Sequence, residues 1–218
     1  MREKHFSIGP LTDSQKKCID GLNNGVTRKV FHRIGPVEIV RDELTLKKVW
    51  GFRERIYSAM YPTIRAFQND PYDKFSWVLC TEDDKGEILS TARLAVDHEC
   101  GLPDEKLMEE HVANRREEGC KMAELGRFII VGKNNSLLKA YYRAFYTISY
   151  LANIDSIMMV MKRKDVSFHK RMMSVNVLEE TIGPRFGSHH EYACVEWKVR
   201  DTQDRFYRWC GLRPRGRF

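Results

Sequence analysis

The chain has 218 residues, 42% of them hydrophobic and 31% charged, which is enough for one sizeable core with a small appendage and excludes a disordered chain. No stretch approaches the roughly 20 consecutive apolar residues that cross a bilayer, and Met1-Arg2-Glu3-Lys4-His5 leads into no apolar run, so a cytoplasmic enzyme without a secretory signal is expected. The net charge of +7 sits at the ends: residues 1–33 and residues 200–218 carry +4 each, which leaves −1 for the body between them. Basic ends on a neutral body suit an acidic protein partner or peripheral contact with an anionic membrane surface, and do not require nucleic acid. Six cysteines stand at positions 18, 80, 100, 120, 194 and 210 with no Cys-x-x-Cys pair, so free and mostly buried thiols are expected. His98, Cys100, His111 and Cys120 match no common zinc spacing, and no metal is expected.

Residues 1–33 read as a basic N-terminal extension, 34–199 as one α/β domain and 200–218 as a basic C-terminal tail. Ile34–Val40 is a short strand, and Asp42 caps the helix that follows. At 100° per residue, Leu46, Val49, Trp50, Phe52, Ile56, Tyr57 and Met60 share one face of that helix, and Arg53 falls in the middle of the stripe. A guanidinium does not lose its proton, so Arg53 either meets a buried carboxylate, faces a pocket, or snorkels out past its neighbours. A loop ending in Asn69-Asp70-Pro71-Tyr72-Asp73 leads to a hairpin of Phe75–Thr81 and Ile88–Val96 that turns at Asp83-Asp84-Lys85-Gly86. Arg93 shares a face of the second strand with Leu89, Thr91 and Ala95. Residues 98–120 form a polar insertion with a helix near Glu105–Val112.

Met122–Val131 is the strongest strand and carries Glu124-Leu125-Gly126-Arg127. Regular alternation puts Glu124 and Arg127 on opposite faces, but a bulge at Gly126 would bring both to one side. Ser136 caps a helix whose inner side holds Leu137, Leu138, Tyr141, Phe145 and Ile148. The aromatic positions Tyr141, Tyr142, Phe145, Tyr146 and Tyr150 on it read as core, or as the wall of an acyl tunnel. Ser156–Met161 is a doubly buried strand, Asp165 opens a helix through His169, and Tyr192–Val199 is the last strand. His169 reads as a helix-surface residue, or as a proton shuttle. The expected fold is α/β, with one mixed sheet.

Four features in this order carry a resemblance: Arg53 followed four residues later by Tyr57, the Asp70-x-x-Asp73 loop, Arg93-Leu94 at a strand end, and Glu124-x-x-Arg127-Phe128 on the central strand. Together they resemble the GNAT-like branch that contains the autoinducer synthases and the long-chain N-acyl amino acid synthases of soil bacteria. The resemblance implies a mixed, mostly antiparallel central sheet flanked by helices, and a bacterial acyltransferase. Gln68 and Thr63 stand where the acyl-homoserine-lactone synthases carry Glu and Trp, which favours the N-acyl amino acid synthases over lactone synthesis from S-adenosylmethionine.

Gly132-Lys133-Asn134-Asn135-Ser136-Leu137 lacks the glycine pattern that holds the pyrophosphate of coenzyme A in ordinary acetyltransferases. The resemblance therefore implies no bound cofactor, and an acyl-phosphopantetheine on an acyl carrier protein as donor. Lys133, Lys139, Lys162, Arg163, Lys164, Lys170 and Arg171 would dock that acidic carrier, or form an ordinary solvated basic face.

Glu124 is the candidate general base, or the group that binds the substrate ammonium. Arg53, Arg93 and Arg127 bind the amino acid carboxylate or hold the acid pocket together, and Asp70 and Asp73 pair with them. Backbone N–H groups near Phe128–Ile130 are candidate oxyanion donors. Against these roles stands a purely structural ion-pair network. The competing functions are an autoinducer synthase, an acetyl-coenzyme-A-dependent acetyltransferase, and a non-enzymatic binding module.

Overall fold

Strands form where apolar residues alternate, and their pairing follows from how they are joined. The computed structural model describes residues 33–61, 70–185 and 188–212. Within them one eight-stranded sheet contains β1 (Arg33–Ile34), β2 (Val37–Ile39), β3 (Ser76–Glu82), β4 (Ile88–Val96), β5 (Met122–Ile130), β6 (Ser156–Lys162), β7 (Asn176–Glu179) and β8 (Tyr192–Lys198), in the order β1-β2-β3-β4-β5-β6-β8-β7. Every adjacent pair is antiparallel except β5 and β6. A parallel pair needs a long crossover, and α3 (Asn135–Leu151) supplies it. The other α-helices are α1 (Glu43–Met60), α2 (Glu109–Glu117), α4 (Val166–Met173) and α5 (Asp204–Cys210). This is the mixed, mostly antiparallel GNAT-like sheet with flanking helices that the resemblance implied. No helix among the described residues is long and apolar enough to cross a membrane.

The two sheet faces differ in chemistry. One is dry: Trp77, Leu79, Leu94, Leu125, Ile157 and Trp197 pack against Tyr141, Phe145 and Ile148 of α3. The aromatics of α3 are therefore core, with Tyr141, Tyr142, Phe145 and Tyr146 all buried. The other face carries two smaller apolar patches. Val78, Cys80 and Ile129 meet Val49 and Phe52 of α1, and Met122, Met158 and Cys194 meet Leu102, Met108 and Val112 of the insertion. Between these patches, by register, lie Arg93 and Glu124.

Several boundaries move for local reasons. Ile34–Val40 is two short strands, because Gly35 adopts φ +63° and turns the chain. Asn134 rather than Ser136 caps α3, accepting the Leu137 N–H at 2.9 Å. The insertion forms a 3₁₀ turn at Glu105–Leu107, then α2, so its helix starts later than Glu105. The edge strand β7 escapes sequence reading, being four residues long and only half-buried. The domain does not end at residue 199. Phe206 and Cys210 of α5 are buried in the main core, and Phe206 meets Trp197 at 5.1 Å between ring centroids. Residues 1–32 of the basic extension and 213–218 of the tail lie outside the described residues.

One feature of the sheet positions the site. The β5–β6 ladder stops at Leu125↔Met159, although β5 runs on to Ile130 and β6 to Lys162. Beyond that point β6 stays with β8. The central strands splay apart, and the β5 edge over residues 126–130 has no ladder partner on the β6 side among the described residues.

Candidate active site

The β4–β5 register slips beside the splay. Thr91 pairs with Ile129 but Arg93 pairs with Gly126, so Arg127 and Phe128 both oppose Ala92. Arg127 takes φ +52°, a left-handed conformation that costs a residue with a side chain about 1–2 kcal/mol. The sequence reading assigned the bulge to Gly126; the left-handed residue is its neighbour. Gly126 has a different use. A Cβ there would lie in contact, 3.6 Å from Glu124 Oε1 and 3.7 Å from Arg93 Nη2, so position 126 stands directly beside both groups. The bulge turns Arg127 back to the face of Glu124, as expected, and sends the Phe128 ring into the core against Tyr141 and Phe145. Ile130 also packs against that core, so neither side chain faces the charges.

Asp70 and Asp73 collect the three arginines. Asp70 accepts from Tyr72 N at 3.1 Å and opens the 3₁₀ turn Pro71–Phe75, while Asp73 N donates to Asp70 O at 3.0 Å. Arg127 Nε and Nη2 reach Asp70 Oδ2 at 2.8 and 2.7 Å. Arg93 Nη1 stands 2.6 Å from Asp70 Oδ1 and 3.7 Å from Asp73 Oδ1, in ion pairs off the line of a hydrogen bond. Arg53 Nη1 and Trp50 Nε1 both donate to Asp73 Oδ2 at 2.7 Å. Arg53 is therefore a buried pair and does not snorkel. Arg53 Nε, Arg93 Nε and Asp73 Oδ1 are buried with no hydrogen-bond partner among the described residues. Access separates the arginines: the side chains of Arg53 and Arg93 are 1% and 3% exposed, and that of Arg127 is 26% exposed.

Burial alone would raise the Asp70 carboxyl, but Arg93 and Arg127 outweigh it and hold it at about 2. A carboxyl depressed from 3.8 stabilises the fold above about pH 4, by roughly 2 kcal/mol, and loses that contribution as pH falls through about 2. Asp70→Asn should therefore lower Tm at neutral pH and flatten its fall below pH 4, measured by circular dichroism across the acid range. A parallel acid limb in both proteins would contradict this.

Glu124 is in the opposite state. It is 2% exposed, and its Oε2 accepts the Asp104 N–H at 2.7 Å. Burial, then the nearby Asp104, push its carboxyl up to about 8 against the pull of Arg93 and Arg127. Three guanidinium groups meet the Asp70 and Asp73 carboxylates beside it, and Arg127 is the most accessible of the three.

A family model of the N-acyl amino acid synthase FeeM matches residues 48–190, a span that contains Arg53, Asp70, Asp73, Arg93, Glu124 and Arg127. The chain belongs to the FeeM N-acyl amino acid synthase family. It is an acyltransferase. Solved structures share the fold of this FeeM-family chain. FeeM itself, an N-acyl amino acid synthase from uncultured soil microbes, aligns with TM-score 0.64 and 14% identity, over 76% of this chain and 90% of that one. The AHL synthase LasI aligns with TM-score 0.60 and 16% identity, over 83% and 98%. BjaI, a CoA-dependent acyl-homoserine lactone synthase solved with SAM and isopentyl-CoA, aligns with TM-score 0.58 and 14% identity, over 79% and 84%. No curated protein matches.

Other residues of this FeeM-family chain sort by their contacts. His169 is buried rather than on the helix surface. Its Nδ1 donates to Asp165 O at 2.8 Å, so its Nε2 accepts from the Tyr142 hydroxyl at 2.5 Å, and its ring packs against Tyr142 and Phe168. His98 stacks on Phe75 at 3.8 Å between centroids, whereas His111 lies 3.8 Å from Glu179. Cys80, Cys194 and Cys210 are free and buried. Lys133, Lys139, Arg163, Lys164, Lys170 and Arg171 are exposed and Lys162 is half-buried, with Arg163 paired to Glu191 at 3.0 Å. Gln68 and Thr63 lie outside the described residues. A groove of about 720 Å³ lined by Thr81, Leu137, Arg143 and Trp209 also includes Lys139 of the predicted docking set, and contains none of Arg53, Asp70, Asp73, Arg93, Glu124 and Arg127.

Sequence reading missed four groups. Trp50 was counted as core, yet its indole N–H holds Asp73. Asp104 and Arg185 sit in loops with no pattern to flag them. Glu196 lies on β8 between Val195 and Trp197. It is buried under a two-point bond from Arg115, at 2.8 and 2.9 Å, and accepts from Ser156 Oγ at 2.6 Å. A charge in so apolar a strand was its signal. Burial would raise the Glu196 carboxyl, but these donors outweigh it and keep it low.

Proposed function

We propose that the chain transfers a long acyl group from the phosphopantetheine thioester of an acyl carrier protein to the α-amine of an amino acid, releasing an N-acyl amino acid. The observation that carries this reading is the cluster of Arg53, Arg93 and Arg127 on Asp70 and Asp73, set beside the buried Glu124 where β5 and β6 begin to splay. Arg127, the most accessible of the three guanidinium groups, takes the substrate carboxylate. Glu124 in its ionised form removes a proton from the substrate ammonium. The amine nitrogen attacks the thioester carbon, a C–N bond forms and the C–S bond breaks, and the thiolate takes up a proton. Backbone N–H groups of the unpaired β5 edge near Phe128–Ile130 stabilise the developing oxyanion. Arg53, Arg93, Asp70 and Asp73 hold the floor of the site.

Support for a carrier protein over coenzyme A comes from the segment before α3, which lacks the glycine pattern for a pyrophosphate, and from the exposed cations around it. Incubation with acyl-loaded carrier protein and mixed amino acids should yield an N-acyl amino acid by mass spectrometry, with thioester consumed. Neither product nor consumption would defeat the proposal. Changing Lys133 and Lys164 together to Glu should raise KM for the loaded carrier about tenfold with kcat little changed. Equal KM values for parent and variant at low salt would remove these lysines from the docking surface.

A further inference from the structure

Glu124 receives its hydrogen bond from a backbone N–H, and the residue that offers it is itself charged. Asp104 N donates to Glu124 Oε2 at 2.7 Å. The Asp104 carboxylate in turn pairs with Arg185 at 2.8 Å, across from the β7–β8 connection. The loop that presents Asp104 is firmly seated. Leu102 and Met108 are buried beneath it, and Arg116 ties Asp97 and Glu105 together through four bonds of 2.6–2.8 Å. Glu105 Oε2 also accepts the Leu102 N–H at 2.9 Å.

We propose that Asp104 and Arg185 are positioning residues that orient the Glu124 carboxyl group toward Gly126 and Arg93 and control when it ionises. Asp104 acts in two opposed ways. Its N–H holds Oε2, favours the carboxylate and leaves Oε1 on the Gly126 side. Its own negative charge disfavours a second carboxylate nearby. Arg185 decides how much of that charge Glu124 experiences, because its guanidinium pairs with the Asp104 carboxylate at 2.8 Å. The other groups acting on Glu124 are Arg93 of β4 and Arg127 of β5, with Tyr72 of the 3₁₀ turn and Cys194 of β8 coupled to it more weakly. Arg93 and Arg127 are also engaged with Asp70, whereas Arg185 acts on Glu124 through Asp104. This inference gives a mechanism of control to the base role proposed above, and rests on it for its catalytic meaning.

The test is a carbon-13 NMR titration of the glutamate carboxyls in the free enzyme, with the Glu124 signal identified by its loss in Glu124→Gln. Asp104→Asn keeps the N–H and removes the charge, so the Glu124 midpoint should fall by about half a pH unit or more. Arg185→Gln exposes the Asp104 charge, so the midpoint should rise by a similar amount. Arg185→Lys should restore it. Unmoved midpoints, or shifts of one sign in both charge-removing variants, would overturn the relay. The pH profile of kcat/KM with acyl-loaded carrier protein is the second readout. If Glu124 is the base, its rising limb follows the NMR midpoints in each variant. Opposite NMR shifts beside an unmoved limb would uphold the relay and overturn the base role.

Discussion

Glu124→Gln should abolish turnover while leaving a protein at least as stable as the parent. Loss of a positioned general base typically costs 10²–10⁴-fold in rate, and Gln keeps an oxygen to accept the Asp104 N–H. The stability half follows from the sign of the titration. The Glu124 carboxyl is raised from 4.5 to about 8 in the fold, so the folded state holds a proton that the unfolded chain releases. Its favourable contribution is present at low pH and is lost as pH rises through about 8, where the carboxylate must ionise in a nearly dry site. Gln carries no such liability. Tm measured from about pH 5 to about pH 9 should therefore show the variant gaining on the parent as pH rises. A variant that retains activity, or whose Tm falls behind the parent above pH 8, would remove Glu124 from the proposed role. Such a gain on loss of a working group is expected where a site holds a charge the fold would rather exclude.

The second large effect is expected at the other end of the network. Asp73→Ala leaves the Arg53 guanidinium and the Trp50 indole N–H without their shared acceptor. Arg53 is 0% exposed and cannot shed its charge. Removing one partner of a buried pair costs about 3–5 kcal/mol, because the other charge stays buried and uncompensated. For a chain of this size that corresponds to a Tm drop of roughly 10 °C or more. Replacing both residues by apolar ones, as in Arg53→Met with Asp73→Leu, should recover part of the loss, since a buried pair contributes little net stability over a well-packed apolar pair. A single change costing under about 1 kcal/mol would show that water reaches Arg53.

The two predictions divide the charged cluster by function. Arg53, Asp73 and Trp50 form its buried base, tying α1 to the 3₁₀ turn and to Thr91 of β4. Arg127, with Glu124 beside Gly126, forms its proposed working edge. The sequence reading gave all three arginines the same two roles, binding the amino acid carboxylate or holding the acid pocket together. Their exposures separate them, at 1% and 3% for the Arg53 and Arg93 side chains against 26% for Arg127.

Much of the fold was legible because it rests on periodicity. The alternation in β8, the doubly apolar run of β6 and the stripe on α1 each record which side chains enter the core. The odd charges at Arg53, Arg93 and Glu124 were legible for the same reason: a charge on an apolar face must have a partner or a task. Short elements with weak patterns, β7 and the split β1–β2, were not. The helix at 204–210 was hidden by its arginines, which stay outside while Phe206 and Cys210 enter the core.

The sequence by itself determined that a bulge was needed to place Glu124 and Arg127 on one face, because a strand alternates with period two. It did not determine that Arg127 itself would take the left-handed conformation, since that strain is held by an ion pair to Asp70, 57 residues earlier in the chain. Nor did it disclose the protonation state of Glu124. The carboxyl at about 2 is held there by two guanidinium ions, whereas the one at about 8 is raised first by burial and then by another carboxylate at the end of a loop. Those distances exist only once the insertion has closed over the sheet.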